Sequence, residues 1–588
     1  MVKKMQIKKG IPVSPGYKVR KALLLEDEEY LIGKRFLPDP SLVNQEIARF
    51  EEAVQSSKEE IEALKKEASL YLSKESLQIF SVHQMLLSDP KIYESVVRKI
   101  KNHKCTAEYA VSRTMKGMIR KVKSLPNDFF ASRVKDLVDV EKRLLRNLSG
   151  KKDGELHSIN EEVVIIAKDL TPSQTATLDR NNVVGFATDS GGKTSHTAIV
   201  ARALGIPAVV GLENLTQQVE NEDLVVIDGV RGYVIVNPDE KTLEKYKRLE
   251  TEYDAYGKRL RIELKDLPCE TRDGYEIHLW ANIEVPEDIE IAVQNGAEGI
   301  GLYRTEFLYA RTKEIPSEEI HFQAYRKAVD QLEGKPIVIR LLDLGADKFY
   351  DRIKHGSEKN PFLGCRSIRY LFHNFDILKA QLRAILRVSP FGDVRILLPM
   401  ISTVEEVRKA KEILHDTMES LERKNIEFNP NIPLGIMLEV PSSVVIADIL
   451  AKEVDFFSIG TNDLVQYTLA VDRINERVAD LYQPAHPAIL RMLKKVIDIG
   501  KKEGITVSIC GEMSGEVKYI LPLIGLGLTN LSLTPKMIPQ VKKVIRSTTL
   551  WEARKIAQEV FDFDEPVVTE KFLEDKASAL VPDLFHKN

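Results

Sequence analysis

Cysteine, tryptophan and long apolar runs are all scarce in this chain of 588 residues. Its four cysteines, Cys105, Cys269, Cys365 and Cys510, are scattered without a metal-binding spacing, which argues against a disulfide framework or a thiolate cluster and fits a reducing compartment. No stretch approaches the roughly 18 apolar residues of a membrane helix, and the basic start "MVKKMQIKKG" leads into no apolar targeting segment. A cytoplasmic location is therefore expected, without insertion into a membrane. An excess of one charge is missing too. The 85 Lys and Arg nearly balance the 88 Asp and Glu, leaving a net charge of -3, so no broad field exists to gather nucleic acid or a membrane surface. A small anionic ligand would need a local basic pocket.

The length exceeds what one core can support, and at about 100 to 200 residues per domain it predicts three or four units. Pro and Gly punctuate "GIPVSPG" and the apolar run "KALLL" follows, so residues 1–30 read as short strands. Over 31–149 the pattern becomes helical and rich in Glu, Lys and Leu, as in "LVNQEIARFEEAVQSSKEEIEALKKEA", with apolar residues three and four apart. Short apolar runs return over 150–238: "EEVVIIAKDL", "NNVVGFATD", "IPAVVGL", "LVVIDG" and "YVIVNP". This predicts a small α/β domain whose sheet is completed by residues 1–30, with a helical bundle inserted between its parts. Residues 239–268 are charged and helix-forming, a helical linker.

From 269 to 588 the rhythm is regular. Eight short apolar runs, "IHLWANI", "GIGLYRTEF", "IVIRLLDLG", "VRILLPMI", "LGIMLEVP", "DFFSIGTND", "TVSICGEM" and "LTNLSLTP", each leave room for a helix, as a (β/α)₈ barrel of the TIM type requires. A doubly wound open sheet is the rival fold. The placement of polar residues favours the barrel, because Arg304, Arg340, Asp343, Glu439, Asn462, Asp463 and Cys510 all fall at the ends of these runs. Barrel enzymes build their sites on that face. Glu439 and Asp463 can offer hard oxygen ligands to Mg²⁺. Arg304, Arg340 and Arg473, with Arg366 and Lys348, offer the cationic donors that phosphate and carboxylate groups require. The implied ligand is small, multiply anionic and bound through Mg²⁺.

Far from these runs stands "GFATDSGGKTSHTAIVARALGIPAVVG", with His196 behind two glycines and before an apolar helical run. Thr194 and Ser195 can cap that helix, whose free N–H groups would stabilise a phosphoryl group on the imidazole. A neutral imidazole is nucleophilic at physiological pH. His196 thus reads as a phosphorylatable histidine.

These blocks in this order, together with "FSVHQMLLSDP", "EKRLLRNL", "DLTPSQTATL", "NPFLGCRSIR", "YQPAHPAIL" and "CGEMSGE", resemble the phosphoenolpyruvate-protein phosphotransferases, Enzyme I of the bacterial sugar phosphotransferase system. The resemblance runs over nearly the whole chain. It implies that His196 takes the phosphoryl group of phosphoenolpyruvate and passes it to a histidine of the carrier protein HPr, and that the linker lets its domain swivel. It also implies phosphate-binding roles for Arg304, Arg340, Arg473 and Asn462, support from Arg366, magnesium ligation by Glu439 and Asp463, and proton donation by Cys510. Thr175 would orient the histidine, the region of His83 and Arg133 would dock the carrier, and the barrel would form a homodimer. Departures from the family pattern occur at Lys193, Ala346, Cys365 and Ile474, none of them a reacting group; Lys193 keeps a charge but lacks the guanidinium fork.

Two other functions share parts of this pattern. A pyruvate phosphate dikinase or phosphoenolpyruvate synthase would use the same histidine and barrel but needs a nucleotide-binding domain, and no Gly-rich nucleotide loop precedes His196. A phosphoenolpyruvate-sensing regulatory or scaffold protein with slow turnover is the other. A nitrogen-branch relative would be expected to carry an added sensor domain before "KKGIPVSPG".

Overall fold

The computed structural model describes residues 5–25, 36–37, 39, 42–68, 82–123, 129–149, 161–170, 182–191, 201, 205–311, 315–344, 360–473 and 478–585. The chain divides into two compact units, residues 1–254 and 255–588.

In the first unit, β1 (Gln6–Lys9), β2 (Ile11–Ser14), β3 (Tyr17–Leu25), β4 (Val163–Ala167), β5 (Val183–Thr188), β6 (Ala208–Val210), β7 (Leu224–Asp228) and β8 (Tyr233–Val236) form one sheet in the order β1-β8-β7-β3-β4-β5-β6-β2. Strand β3 pairs parallel with β4 and antiparallel with β7, so the first strands do complete the sheet of the later ones. Successive side chains point to opposite faces of a strand. Ile165 and Ala167 therefore pack on one face with Phe186 and Val210, while Val164 and Ile166 pack on the other with Val225 and Ile227. Burial on both faces explains why these strands read as continuous β-branched runs.

Between β3 and β4 lie α1 (Val43–Ala68), α2 (Pro90–His103), α3 (Ala107–Lys123) and α4 (Phe129–Ser149). Asp89 caps α2 by accepting from Lys91 N, Pro90 occupies its first turn, and Lys104 ends it in the left-handed conformation. Ile92, Val96 and Ile100, four residues apart, make its buried stripe. Arg133 lies on α4. His83, expected in a carrier-docking region, is fully buried, its ring nitrogens 3.6 Å from Asp136 and 3.5 Å from Asp139. The imidazole is thus part of the bundle interior and offers nothing to a partner at the surface. The linker sequence forms α5 (Glu240–Leu264), whose Tyr246 hydroxyl donates to Asp228 at 3.1 Å.

In the second unit, β9 (His278–Ile283), β10 (Ile300–Tyr303), β11 (Ile337–Arg340), β12 (Val394–Leu398), β13 (Leu434–Leu438), β14 (Phe456–Ile459), β15 (Thr506–Ile509) and β16 (Asn530–Leu533) close into a parallel barrel, β16 pairing with β9. All eight predicted runs are strands, and the open-sheet alternative is excluded by that closure. Leu302, Val338, Leu397, Met437 and Phe456 fill the barrel interior, whereas their neighbours Tyr303, Ile337, Ile396 and Ile436 pack outward against the helices. Among the described residues no helix is long and apolar enough to cross a membrane.

Candidate active site

The predicted residues of the barrel converge on its C-terminal mouth. Arg304 follows β10, Arg340 ends β11, Glu439 follows β13 and Cys510 follows β15; Asn462 and Asp463 open α6 (Thr461–Leu469), the helix after β14. Parallel strands end at the same rim, and that common rim brings together residues more than 200 positions apart.

Arg340 is the buried centre. Its Nη2 lies 3.1 Å from Glu306 Oε1 and its Nη1 2.9 Å from Asp343 Oδ2, while Nε has no partner among the described residues. Burial opposes the guanidinium charge, but Glu306, Asp343 and Glu439 outweigh it and keep the group charged. Asp343 also receives Arg366 Nη2 at 3.0 Å and the Ser367 hydroxyl. Burial alone would raise its pKa; Arg366 and Arg340 reverse that and hold the carboxyl well below the usual range. Arg366 reaches Asp463 at 3.5 Å and donates to the Tyr467 hydroxyl at 3.1 Å. Arg304 pairs with Glu284 at 2.8 Å near solvent. Arg473 and Asn462 both donate to Glu512 Oε1, at 3.2 and 3.1 Å, and Glu512 N donates back to Asn462 Oδ1 at 2.9 Å.

Glu439 is 2% exposed and accepts from Met400 N at 2.6 Å. Burial, then Asp343 and Asp463, push its pKa well up, so the ionised form is held at a cost. Met400 adopts a φ of 57°, as Ser367 does at 54°; both are non-glycine residues in the left-handed region, and both bond a site carboxylate. Such backbone costs about 1 to 3 kcal/mol and collects at functional sites. Gly460 is required by packing: a Cβ there would lie 2.8 Å from Glu439 Oε2. Cys510 is buried; Ser458 Oγ donates to its Sγ at 3.2 Å, and Asn282 Nδ2 donates to its carbonyl at 2.9 Å. Burial pushes the thiol up to about 11, against the lowering effect of Ser458.

No cluster of three or more metal-ligating side chains occurs among the described residues. The donor set still fits a divalent cation: Glu439 and Asp463 are hard carboxylates, burial and then the charges of Asp343 and Asp463 disfavour the ionised form of Glu439, and Mg²⁺ typically takes one or two carboxylates plus water and substrate phosphate. His196, Thr175, Lys193, Ala346, Lys348 and Ile474 lie outside the described residues. Glu284, Glu306, Ser367, Met400, Ser458 and Glu512 were not singled out by the sequence; Glu306 and Glu512, each two residues beyond a named one, were within reach of the strand-end rule.

Replacing Asp343 with Asn should destabilise the barrel by about 3 kcal/mol at neutral pH, because it leaves two buried guanidinium groups short of a partner. The sign follows from the depressed pKa: the stabilisation is complete above the ordinary carboxylate range near ~4 and fades only as pH falls through the lower folded value. Tryptophan fluorescence during urea unfolding checks this, since both tryptophans, Trp280 and Trp551, belong to the second unit. An unchanged midpoint for Asp343→Asn would refute the pairing energy.

A barrel mouth lined with arginines and carboxylates belongs to an enzyme that handles a small anion, and family models make the class specific. They match "PEP-utilising enzyme, PEP-binding domain" over residues 258–550, "PEP-utilising enzyme, mobile domain" over 159–232 and "PEP-utilising enzyme, N-terminal" over 9–133. A phosphoenolpyruvate-protein phosphotransferase of Geobacillus stearothermophilus is 45% identical over 551 residues, covering 94% of this chain and 95% of its own. That of Bacillus subtilis (strain 168) is 42% identical over 556 residues, 95% and 97% of the two chains. An NMR solution structure of Enzyme I (nEIt) is 46% identical over 42% of this chain and 99% of its own, with a TM-score of 0.37. The chain belongs to the phosphoenolpyruvate-protein phosphotransferases, an enzyme family of the transferase class.

Proposed function

We propose that this enzyme transfers the phosphoryl group of phosphoenolpyruvate to His196 and from there to a histidine of an HPr-type carrier protein, releasing pyruvate, as the first step of phosphotransferase-dependent sugar uptake. The observation that carries the reading is the convergence of Arg304, Arg340, Arg366 and Arg473 with Glu439, Asp463 and Cys510 on one barrel mouth. In this reading residues 1–30 and 150–238 form the phosphohistidine domain, 31–149 the carrier-binding subdomain, 239–268 the linker, and 269–588 the phosphoenolpyruvate-binding and dimerisation domain. Thr175 orients His196, and the protein works as a cytoplasmic homodimer. The region of His83 and Arg133 contributes its exposed neighbours, not the buried imidazole, to carrier docking.

The arginines and Asn462 hold the phosphate and carboxylate, fixing phosphorus in line with the attacking imidazole nitrogen. A bond forms from that nitrogen to phosphorus as the bond from phosphorus to the enol oxygen breaks. Phosphoryl transfer has a loose, charge-spreading transition state, so positioning and guanidinium donors supply most of the catalysis. Glu439 and Asp463 would hold Mg²⁺, which neutralises charge on the phosphate oxygens. The departing enolate takes a proton at C3 from the Cys510 thiol, and the thiolate regains one from solvent.

Incubation with labelled phosphoenolpyruvate and Mg²⁺ should give an acid-labile, base-stable adduct that is lost in His196→Ala and discharged by HPr. Label that persists in His196→Ala would refute the assignment. A stable adduct that HPr fails to discharge would instead support a sensing protein with slow turnover.

A further inference from the structure

A cavity of about 650 Å³ opens at the end of the barrel opposite that mouth. Glu276, Glu298 and Lys335, which line it, lie just before β9, β10 and β11 respectively, so it faces away from the mouth that holds Arg340 and Cys510. Lys265, Asp266 and Lys542 complete its charged lining.

Lys542, on α7 (Ile538–Ser547), is only 4% exposed. An ammonium has three donors, yet Lys542 Nζ donates only to Lys265 O, at 3.1 Å, among the described residues. Leaving buried donors unmet is costly unless a ligand or water meets them. The acceptor that steers this amine is itself fixed: Gly296, at a φ of 86°, packs so tightly that a Cβ would sit 3.0 Å from Lys265 O. On the rim, Lys335 Nζ is anchored on Ala297 O at 3.2 Å. Burial lowers the pKa of Lys542, while Cys269, Glu298 and Asp266 draw it back up.

We infer that this cavity binds a small organic monocarboxylate, its carboxylate on Lys542 and Lys335 and its hydrocarbon body against Leu267 and Val293. Charge sets the class. Three lysines face three carboxylates, of which Glu298 is already engaged by His278 at 2.7 Å. One negative charge completes Lys542, and further negative charges would meet Asp266 and Glu276. The hollow is open to solvent, and its volume has room for an organic ligand and far exceeds an inorganic ion. This inference is independent of the reading of the barrel mouth.

Butyrate titrated into the full-length protein by calorimetry should bind saturably, about tenfold or more weaker in Lys542→Met and weaker in Lys335→Ala, with Arg340→Met unchanged. Tryptophan fluorescence verifies that each variant is folded, and the rim variant keeps the test open if Lys542→Met is not. Absence of saturable binding, equal affinity in the lysine variants, or loss in Arg340→Met would overturn the assignment. Inorganic phosphate binding as tightly as butyrate, and sensitive to Lys542→Met, would overturn the single-charge class.

Discussion

Exchanging Arg340 for methionine is expected to slow pyruvate release from phosphoenolpyruvate by roughly 10²- to 10³-fold, the usual loss when one preorganised donor to developing charge is removed. Arg340 sits at the buried end of β11 with Glu306 and Asp343 holding two of its nitrogens, and its Nε, buried as well, has no partner among the described residues. The fork geometry makes lysine a poor substitute, since an ammonium cannot span Glu306 and Asp343 while still facing the phosphate. Arg340→Lys should therefore recover less than a tenth of the loss in log units and also lose stability, because one of the two buried carboxylates is left short of its partner. Steady-state assays with HPr check this, with tryptophan fluorescence reporting whether each barrel is folded. Full activity in Arg340→Met would remove this residue from the donor site.

Cys510→Ala is expected to reduce pyruvate formation by roughly 10²- to 10⁴-fold, the range for loss of a positioned general acid. A thiol with a pKa near 11 stays protonated through neutral and mildly alkaline pH, which suits a donor to a carbanion. The rate for the wild-type enzyme should accordingly show no loss at the ordinary thiol range and fall only as pH approaches 11. Ser458→Ala removes the hydroxyl that donates to Sγ and lowers the thiol pKa, so its thiolate absorbance should appear at still higher pH. A thiol that titrates at its ordinary value in the wild type would show that Cys510 is solvated and not the buried acid described here.

Much of this architecture was legible in the sequence because the signals are local. The eight runs from "IHLWANI" to "LTNLSLTP" carry the β-branched and aliphatic residues of buried strands, and the candidate site residues Arg304, Glu439 and Cys510 follow them directly. Which carboxylate holds which arginine was not legible. Glu306 acts on Arg340 from 34 positions away, and Glu512 gathers Asn462 and Arg473 from 50 and 39 positions away. Sequence spacing encodes such pairings only through the closed barrel.

His83 shows the same limit from the other side. Its motif "FSVHQMLLSDP" pointed to the docking region, but burial against Asp136 and Asp139 is a property of helix packing. The sequence by itself determined the strand count of the barrel, the insertion of the bundle between β3 and β4, and the chemical kinds of group at the barrel mouth, because periodicity and residue type are local properties. Tertiary structure alone decided which charges are buried, which are paired, and that Lys542 faces a cavity with donors to spare. Desolvation and pairing depend on what packs around a group, and distant parts of the chain supply that surrounding.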